Sequence, residues 1–352
     1  MSYKLWVSDR LFPLIPPLNF LENFTADTHL VLFFAALSGI FLIFIFPKSR
    51  FVLGLTIAIE LCSCMLDQNR WQPWEYQYII TVLFAFFYRN NPKQFLNYFT
   101  FLIVIIYFNS GLHKLNGSFL YDVWESMILR RFFGLDESVI AQKWLHYAGL
   151  SLGIIEVVAA LGILFFRKKK GFALLLIGMH IFILALISPT GLNYNIIVWP
   201  WNVAMMVLIY VLVFNQSDAH VSFYGLVKGA NFVPFLVVGI LPILCNFGLY
   251  DNFLSFNLYS GSLKQLEICV KENQYSKDYT PYYSHKKNFC GDEYKVLNAN
   301  FWSLKEMNII VYPEERVYFD IVKKWKARNP NVNATFHIYQ YPYKPENIKE
   351  IE

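Results

Sequence analysis

The run Phe108-Asn-Ser-Gly-Leu-His-Lys-Leu-Asn116 closes an apolar stretch with two ionisable side chains, His113 and Lys114. An ammonium in an apolar setting is costly, and one that is destabilised there becomes a neutral amine able to accept a proton near neutral pH. On a continuous helix the two side chains diverge by about 100°, so only one of them points into a bundle. Three further ionisable positions fall within apolar runs: Glu60, with Asp67 and Arg70 about two and three turns beyond it, Glu156, and His180. Each alone is as well explained by a satisfied core residue as by function. Four such positions in one bundle point to acid–base chemistry. In that reading Lys114 is the base and His113 sits beside it. His180 orients or polarises a ligand oxygen, and Glu156 holds a proton or a cation.

These residues need a bundle to hold them, and the composition supplies one. The chain has 352 residues, 56% of them hydrophobic and only 16% charged, which is too apolar for an ordinary water-soluble globule. Of its 55 charged residues, 27 fall in the last 102 positions. That shift divides the chain into an interfacial N-terminal segment (1–27), a transmembrane domain (28–250) and a soluble tail (251–352). Taking roughly 20 residues per crossing, about eight spans are expected: Thr28–Phe46, Phe51–Leu66, Pro73–Tyr88, Phe95–Gly111, Tyr147–Phe166, Gly171–Ile187, Ile196–Phe214 and Phe232–Leu249. The second and third are short. Met1–Leu11 carries Lys4, Asp9 and Arg10, so it reads as an amphipathic lead-in anchored by Trp6, Leu11 and Phe12 and not as a signal peptide.

Lys48 and Arg50, Arg89 and Lys93, Arg167-Lys-Lys-Lys170 and Lys228 lie in alternate loops, which places those loops on the cytoplasmic side. The tail then falls outside the cytoplasm, with the protein in the cytoplasmic (inner) membrane. Cys269 and Cys290 would there be in an oxidising setting, where a disulfide or two free thiols are both open. The net charge of +5 comes from short basic loops and gives no reason to expect nucleic acid as a partner. No pattern of metal ligands occurs, so no metal is expected. In the tail, alternation predicts strands over Phe253–Tyr259, Leu266–Val270 and Ala334–Tyr341. An amphipathic helix is expected over Pro313–Trp325, stopped before Pro330. The fold expected is mainly α, a polytopic helical bundle with a small α/β extracytoplasmic domain. Asn23-Phe-Thr25 and Asn333-Ala-Thr335 match the short glycosylation pattern.

Three segments in order resemble the vitamin K-dependent γ-carboxylase family and its bacterial relatives, the HTTM membrane-domain proteins. They are Leu66-Asp-Gln-Asn-Arg-Trp-Gln-Pro-Trp-Glu-Tyr-Gln-Tyr78, Gly111-Leu-His-Lys-Leu-Asn116, and Met179-His180 followed by Ser188-Pro-Thr-Gly-Leu and Trp199-Pro-Trp-Asn202. The resemblance implies that Lys114 acts as base on a vitamin K hydroquinone-like quinol and that His180 lines its pocket. Trp74, Asn116 and Trp199, from the same segments, would contact the cofactor. In that family the quinol and oxygen generate a strong base that removes a γ-proton from a protein Glu, and CO2 captures the carbanion, a carbon–carbon lyase type of reaction on the lumenal face. This chain departs from the pattern in carrying His113 where the family has a first lysine and Trp74 where it has a histidine. The large lumenal portion that engages peptide substrate is mostly missing.

Two function classes follow. One is an enzyme with quinol-linked acid–base or carboxylation chemistry, acting on a protein or peptide substrate outside the cytoplasm. The other is a non-catalytic membrane scaffold whose tail binds an extracytoplasmic partner, for which Tyr275, Tyr279, Tyr282 and Tyr283 would form a surface. Membrane lipid is a partner in either case.

Overall fold

The computed structural model describes residues 2–215, 221–272, 277–284, 290–342 and 344–351. The fold is mainly helical with one small antiparallel sheet. The helices that matter here are α1 (Ala26–Ile45), α2 (Arg50–Leu66), α3 (Pro73–Tyr88), α4 (Pro92–Leu112), α5 (Leu150–Phe165), α6 (Lys170–Ile187) and α7 (Val198–Tyr210). Among the described residues, five helical stretches are long and apolar enough to cross a membrane. These are Ala26–Ile45, Pro92–Leu112, Lys143–Phe165, Lys170–Ile187 and Val198–Asn215. Helices α2 and α3 have 17 and 16 residues, and Phe232–Phe247 is a shorter apolar helix.

The starts of these helices are written locally. Pro73 and Pro92 occupy first-turn positions, where a missing N–H costs nothing, and Asn91 caps α4 by accepting from the Gln94 N–H at 3.2 Å.

The chain divides into two compact units. The first gathers Met1–Ser38, Ile59–Trp71 and Leu263–Glu352. Its sheet runs in the order β2-β3-β1-β4-β5, from β1 (Gln265–Lys271), β2 (Tyr283–Ser284), β3 (Tyr294–Asn298), β4 (Ala334–Tyr339) and β5 (Ile348–Ile351). Helices α8 (Ala299–Met307) and α9 (Glu315–Arg328) complete the unit. On α9, Val317, Tyr318, Ile321, Val322 and Trp325 are buried at helical spacing, each such side chain contributing about 1.5–3 kcal/mol. Glu315 in its first turn and Lys326 and Arg328 in its last complement the helix dipole. Cys269 and Cys290 are joined in a disulfide with Cα atoms 5.7 Å apart. Tyr275 lies outside the described residues; Tyr279 and Tyr283 are buried.

Two expectations are corrected. Phe253–Tyr259 is no strand: Phe253–Ser255 is a 3-10 turn, and Phe256 and Tyr259 take positive φ of 56° and 51°, which breaks the alternation. The N-terminal anchors are also partly core. Phe12 is 1% exposed and packs at a tilt against Trp302, with ring centroids 4.6 Å apart. The Leu11 and Phe12 N–H groups donate to Glu306 at 2.6 and 2.8 Å.

Arg70 fastens this segment. All five of its N–H groups are used: on Leu5 O (3.0 Å), Trp6 O (2.8 Å), Ser63 O and Oγ (2.9 and 3.0 Å) and His29 Nδ1 (2.9 Å). Asp67 is ion-paired to Arg10 and accepts from Ile15 N and Asn69 N. Burial pushes the Asp67 carboxyl up, but Arg10 and Arg70 outweigh it and hold it below the ordinary range. The polar cluster around Asp67 and Arg70 is structural.

The second unit comprises Gly39–Ala58 and Gln72–Ser262. Helix α4 is its centre, buried from Asn97 through Tyr107 and again at Asn109 and Gly111. The Leu112–His146 connection is structured: a π-helical stretch, Phe119–Phe132, packs Phe119, Leu120, Met127 and Ile128 into an apolar cluster with Leu186, Ile187 and Val198.

Candidate functional site

Helices α4 and α5 cross where both carry glycine. A Cβ on Gly111 would stand 2.7 Å from Gly153 O, and one on Gly153 would stand 2.7 Å from Gly111 O. Only hydrogen fits on both sides, so the backbones touch. Three residues beyond each glycine, the chain places Lys114 and Glu156. Their side chains meet: Lys114 Nζ donates to Glu156 Oε1 and Oε2 at 2.8 Å each and to Ser110 Oγ at 2.7 Å. Lys114 is 8% exposed and Glu156 2%. An ammonium has three protons, and here each has an acceptor.

On the facing helices, His180 of α6 is held at both ring nitrogens. Its Nδ1 lies 2.7 Å from Asn202 Oδ1 and its Nε2 lies 2.5 Å from Tyr107 Oη. Asn202 Nδ2 donates to Val198 O at 2.8 Å, which turns Oδ1 toward the ring. The ring proton is therefore on Nδ1, and Nε2 accepts from the Tyr107 hydroxyl. Tyr107 keeps its oxygen lone pairs for something else.

Lys114, Glu156, Ser110, Tyr107, His180 and Asn202 all line one cavity of about 100 Å³. The rest of its wall is apolar, with Val123, Met127 and Ile128 from the π-helical stretch and Met179, Ile183 and Leu186 from α6. Phe256, Leu258 and Tyr259 also line it, and Asn195 Nδ2 donates to Tyr259 Oη at 2.9 Å. The result is an amphipathic hole, polar at the ion pair and at the Tyr107–His180–Asn202 group and apolar elsewhere.

The residues picked from the sequence divide here. Lys114, Glu156 and His180 come together. His113 does not line the cavity. It is buried, and Nε2 has no hydrogen-bond partner among the described residues. Burial, with the Lys114 charge adding to it, holds His113 down to about 4, so it is neutral at neutral pH. Asn116 is a turn residue: Oδ1 accepts from Phe119 N at 2.9 Å, and Nδ2 donates to His113 O at 2.5 Å. Trp74 and Trp199 pack against the apolar cluster and not on the cavity wall. Glu60 lies in the first unit, among other residues.

Tyr107, Ser110 and Asn202 were missed as site residues. A signal for two of them was present: Tyr107, Ser110 and Lys114 recur at helical spacing, three and four apart, along α4 and into the turn that follows it. Among the described residues no group of His, Cys, Asp or Glu could hold a metal ion.

Comparison with known protein families, with curated proteins and with solved structures finds no match. The chemistry of the site therefore rests on its geometry.

Proposed function

We propose that the second unit is a membrane-embedded binding site for an amphipathic, hydroxyl-bearing ligand of the quinol class, and that the Lys114–Glu156 pair handles its proton. The observation that carries this reading is the buried Lys114–Glu156 pair, with every ammonium proton accepted, on the wall of a largely apolar cavity. Five long apolar helices support membrane insertion. The remaining shorter apolar helices would complete about eight crossings, and the basic loops would face the cytoplasm. The Cys269–Cys290 disulfide supports a tail on the extracytoplasmic side.

The residues fit such a ligand by their chemistry. Each Glu156 oxygen accepts once from Lys114 and keeps a lone pair, so the carboxylate can take a hydroxyl proton while the adjacent ammonium stabilises the oxyanion left behind. Tyr107 passes its own proton toward His180 Nε2 and so offers its oxygen to a second ligand hydroxyl, with Asn202 fixing the tautomer behind it. Apolar walls exclude water from both. A bound hydroquinone would supply an acidic hydroxyl and two electrons. In this arrangement Lys114 serves as the charge partner and Glu156 as the proton acceptor, which shifts the base from the residue expected by resemblance. Carboxylation of a protein Glu stays the most specific form of the proposal.

The test is to purify the protein in native lipid, extract what it retains and identify it by mass spectrometry. A hydroxylated or quinoid apolar molecule should accompany the wild type at near-stoichiometric amounts and be lost from Glu156→Gln and Tyr107→Phe. Wild-type protein that holds no such molecule, or Glu156→Gln that retains it, would refute the assignment.

A further inference from the structure

The first unit contains a cavity of its own, about 180 Å³, with mostly polar walls. Three cationic side chains reach it: Arg10 from the N-terminal segment, and Lys324 and Arg328, one turn apart on α9. They are unequally committed. Arg10 is ion-paired to Asp67 and also donates to Phe12 O, Lys4 O and Leu5 O. Lys324 donates to Leu14 O at 2.8 Å and pairs with Glu22 at 3.0 Å, and Glu22 is itself a wall residue. Arg328 donates only to Leu11 O, and among the described residues no carboxylate pairs with it. His29 lines the cavity with Nδ1 already accepting from Arg70. Asp67 answers both Arg10 and Arg70, and Glu22 and Asp320 both act on Lys324, whereas no carboxylate among the described residues pairs with Arg328.

One spare guanidinium beside a lysine held by a displaceable carboxylate suits a phosphate diester. Such a group carries one negative charge and two free oxygens, which a guanidinium takes as a fork. The neighbouring surface indicates the source of the phosphate. Leu18, Phe20 and Phe24, on either side of the wall residues Leu21 and Glu22 in the chain, are 47%, 64% and 47% exposed. Val31, Phe34 and Leu37 of α1 are exposed as well. An apolar surface of this kind is where acyl chains lie. We infer that this cavity binds the phosphate headgroup of an anionic phospholipid, whose chains run over the exposed aromatic and aliphatic side chains of residues 18–37. The inference is independent of the reading of the second unit.

The experiment titrates phosphatidylglycerol into phosphatidylcholine nanodiscs holding the full chain and counts bound lipid by native mass spectrometry. One saturable site should prefer phosphatidylglycerol. Arg328→Gln should cut that preference about tenfold, while Glu22→Gln, which releases Lys324, should raise it about twofold to fivefold. Both substitutions remove one contact from the same unit, so opposite signs separate a lost site from a lost fold. A second arm adds inorganic phosphate to phosphatidylcholine nanodiscs. Phosphate-specific stabilisation that vanishes in Arg328→Gln, with no preference for phosphatidylglycerol, overturns the lipid as source. Equal binding of the two lipids by wild type, or a preference that neither substitution moves, overturns the site.

Discussion

Lys114→Met would leave the Glu156 carboxylate without either of its 2.8 Å contacts to nitrogen. The two side chains are nearly dry, 10% and 3% exposed, so the surviving charge keeps its desolvation penalty and loses what offsets it. Removing one partner of a buried pair costs about 3–5 kcal/mol, whereas replacing both by apolar residues of similar volume is close to neutral. The expected order follows. Lys114→Met and Glu156→Leu should each destabilise the second unit by about 3–5 kcal/mol, and the double substitution should lie within about 1–2 kcal/mol of wild type. Thermal unfolding in nanodiscs, followed by tryptophan fluorescence, reads this directly. At about 2–4 °C per kcal/mol the single variants should fall by roughly 10 °C, and the double variant should recover most of it. The double variant should nevertheless be empty of ligand, which separates stability from binding. A Lys114→Met cost below about 1 kcal/mol would mean that water reaches the pair. Strictly additive effects would mean that the two charges do not meet, and the proposed site would go with them.

Gly111→Val places a side chain against the Gly153 carbonyl, 2.7 Å from its Cβ, and should cost about 1–3 kcal/mol together with ligand retention; Gly117→Ala, with nothing within 4 Å, is the control, and equal behaviour of the two would refute the close crossing. Arg70→Leu strands the Leu5, Trp6 and Ser63 carbonyls and should destabilise the first unit by more than about 3 kcal/mol, with early proteolysis of the N-terminal segment as the readout; an N-terminus no more susceptible than wild type would argue against the fastening role. Asp67 is held below 3.8, its burial outweighed by Arg10 and Arg70, and hydrogen bonds from Lys264 and Lys349 hold Glu315 below 4.5. Depressed carboxylates contribute stability that is complete above the unfolded pKa and lost as pH falls through the folded one, so denaturant midpoints of the first unit should be flat above about pH 5 and fall below it. A midpoint unchanged down to about pH 2, or a fall that Asp67→Asn and Glu315→Gln together leave untouched, would contradict this.

The helices of the second unit were legible because their apolar runs are long and sharply bounded by Pro, Asn and basic residues. The Lys114 face was legible too, since a lysine at the end of such a run has few inexpensive explanations. Tyr107 was hidden by chemistry: a tyrosine among Ile and Phe reads as core until its hydroxyl is seen on His180. Trp74 and Trp199 were drawn into the site by a sequence likeness, although indole rings at those positions are needed to fill the apolar cluster. Phe253–Tyr259 alternates like a strand, yet two positive-φ residues fold it into a turn, and nothing in the side-chain pattern announces that. The N-terminal segment was misjudged because its burial depends on Arg70 and Glu306, which are distant in sequence. Local amphipathicity describes a segment in isolation, and such long-range hydrogen bonds are invisible to it.

The touching glycines at the α4–α5 crossing have a mechanical consequence. Any motion that spreads those two helices also pulls the lysine from the glutamate, so that wall of the cavity is stiff in proportion to the charge it holds. Phe256, Leu258 and Tyr259 form a part of the wall with no ion pair, where Tyr259 is held by the Asn195 hydrogen bond. Under the proposed function, a ligand would enter past these residues and leave the Lys114–Glu156 contact closed.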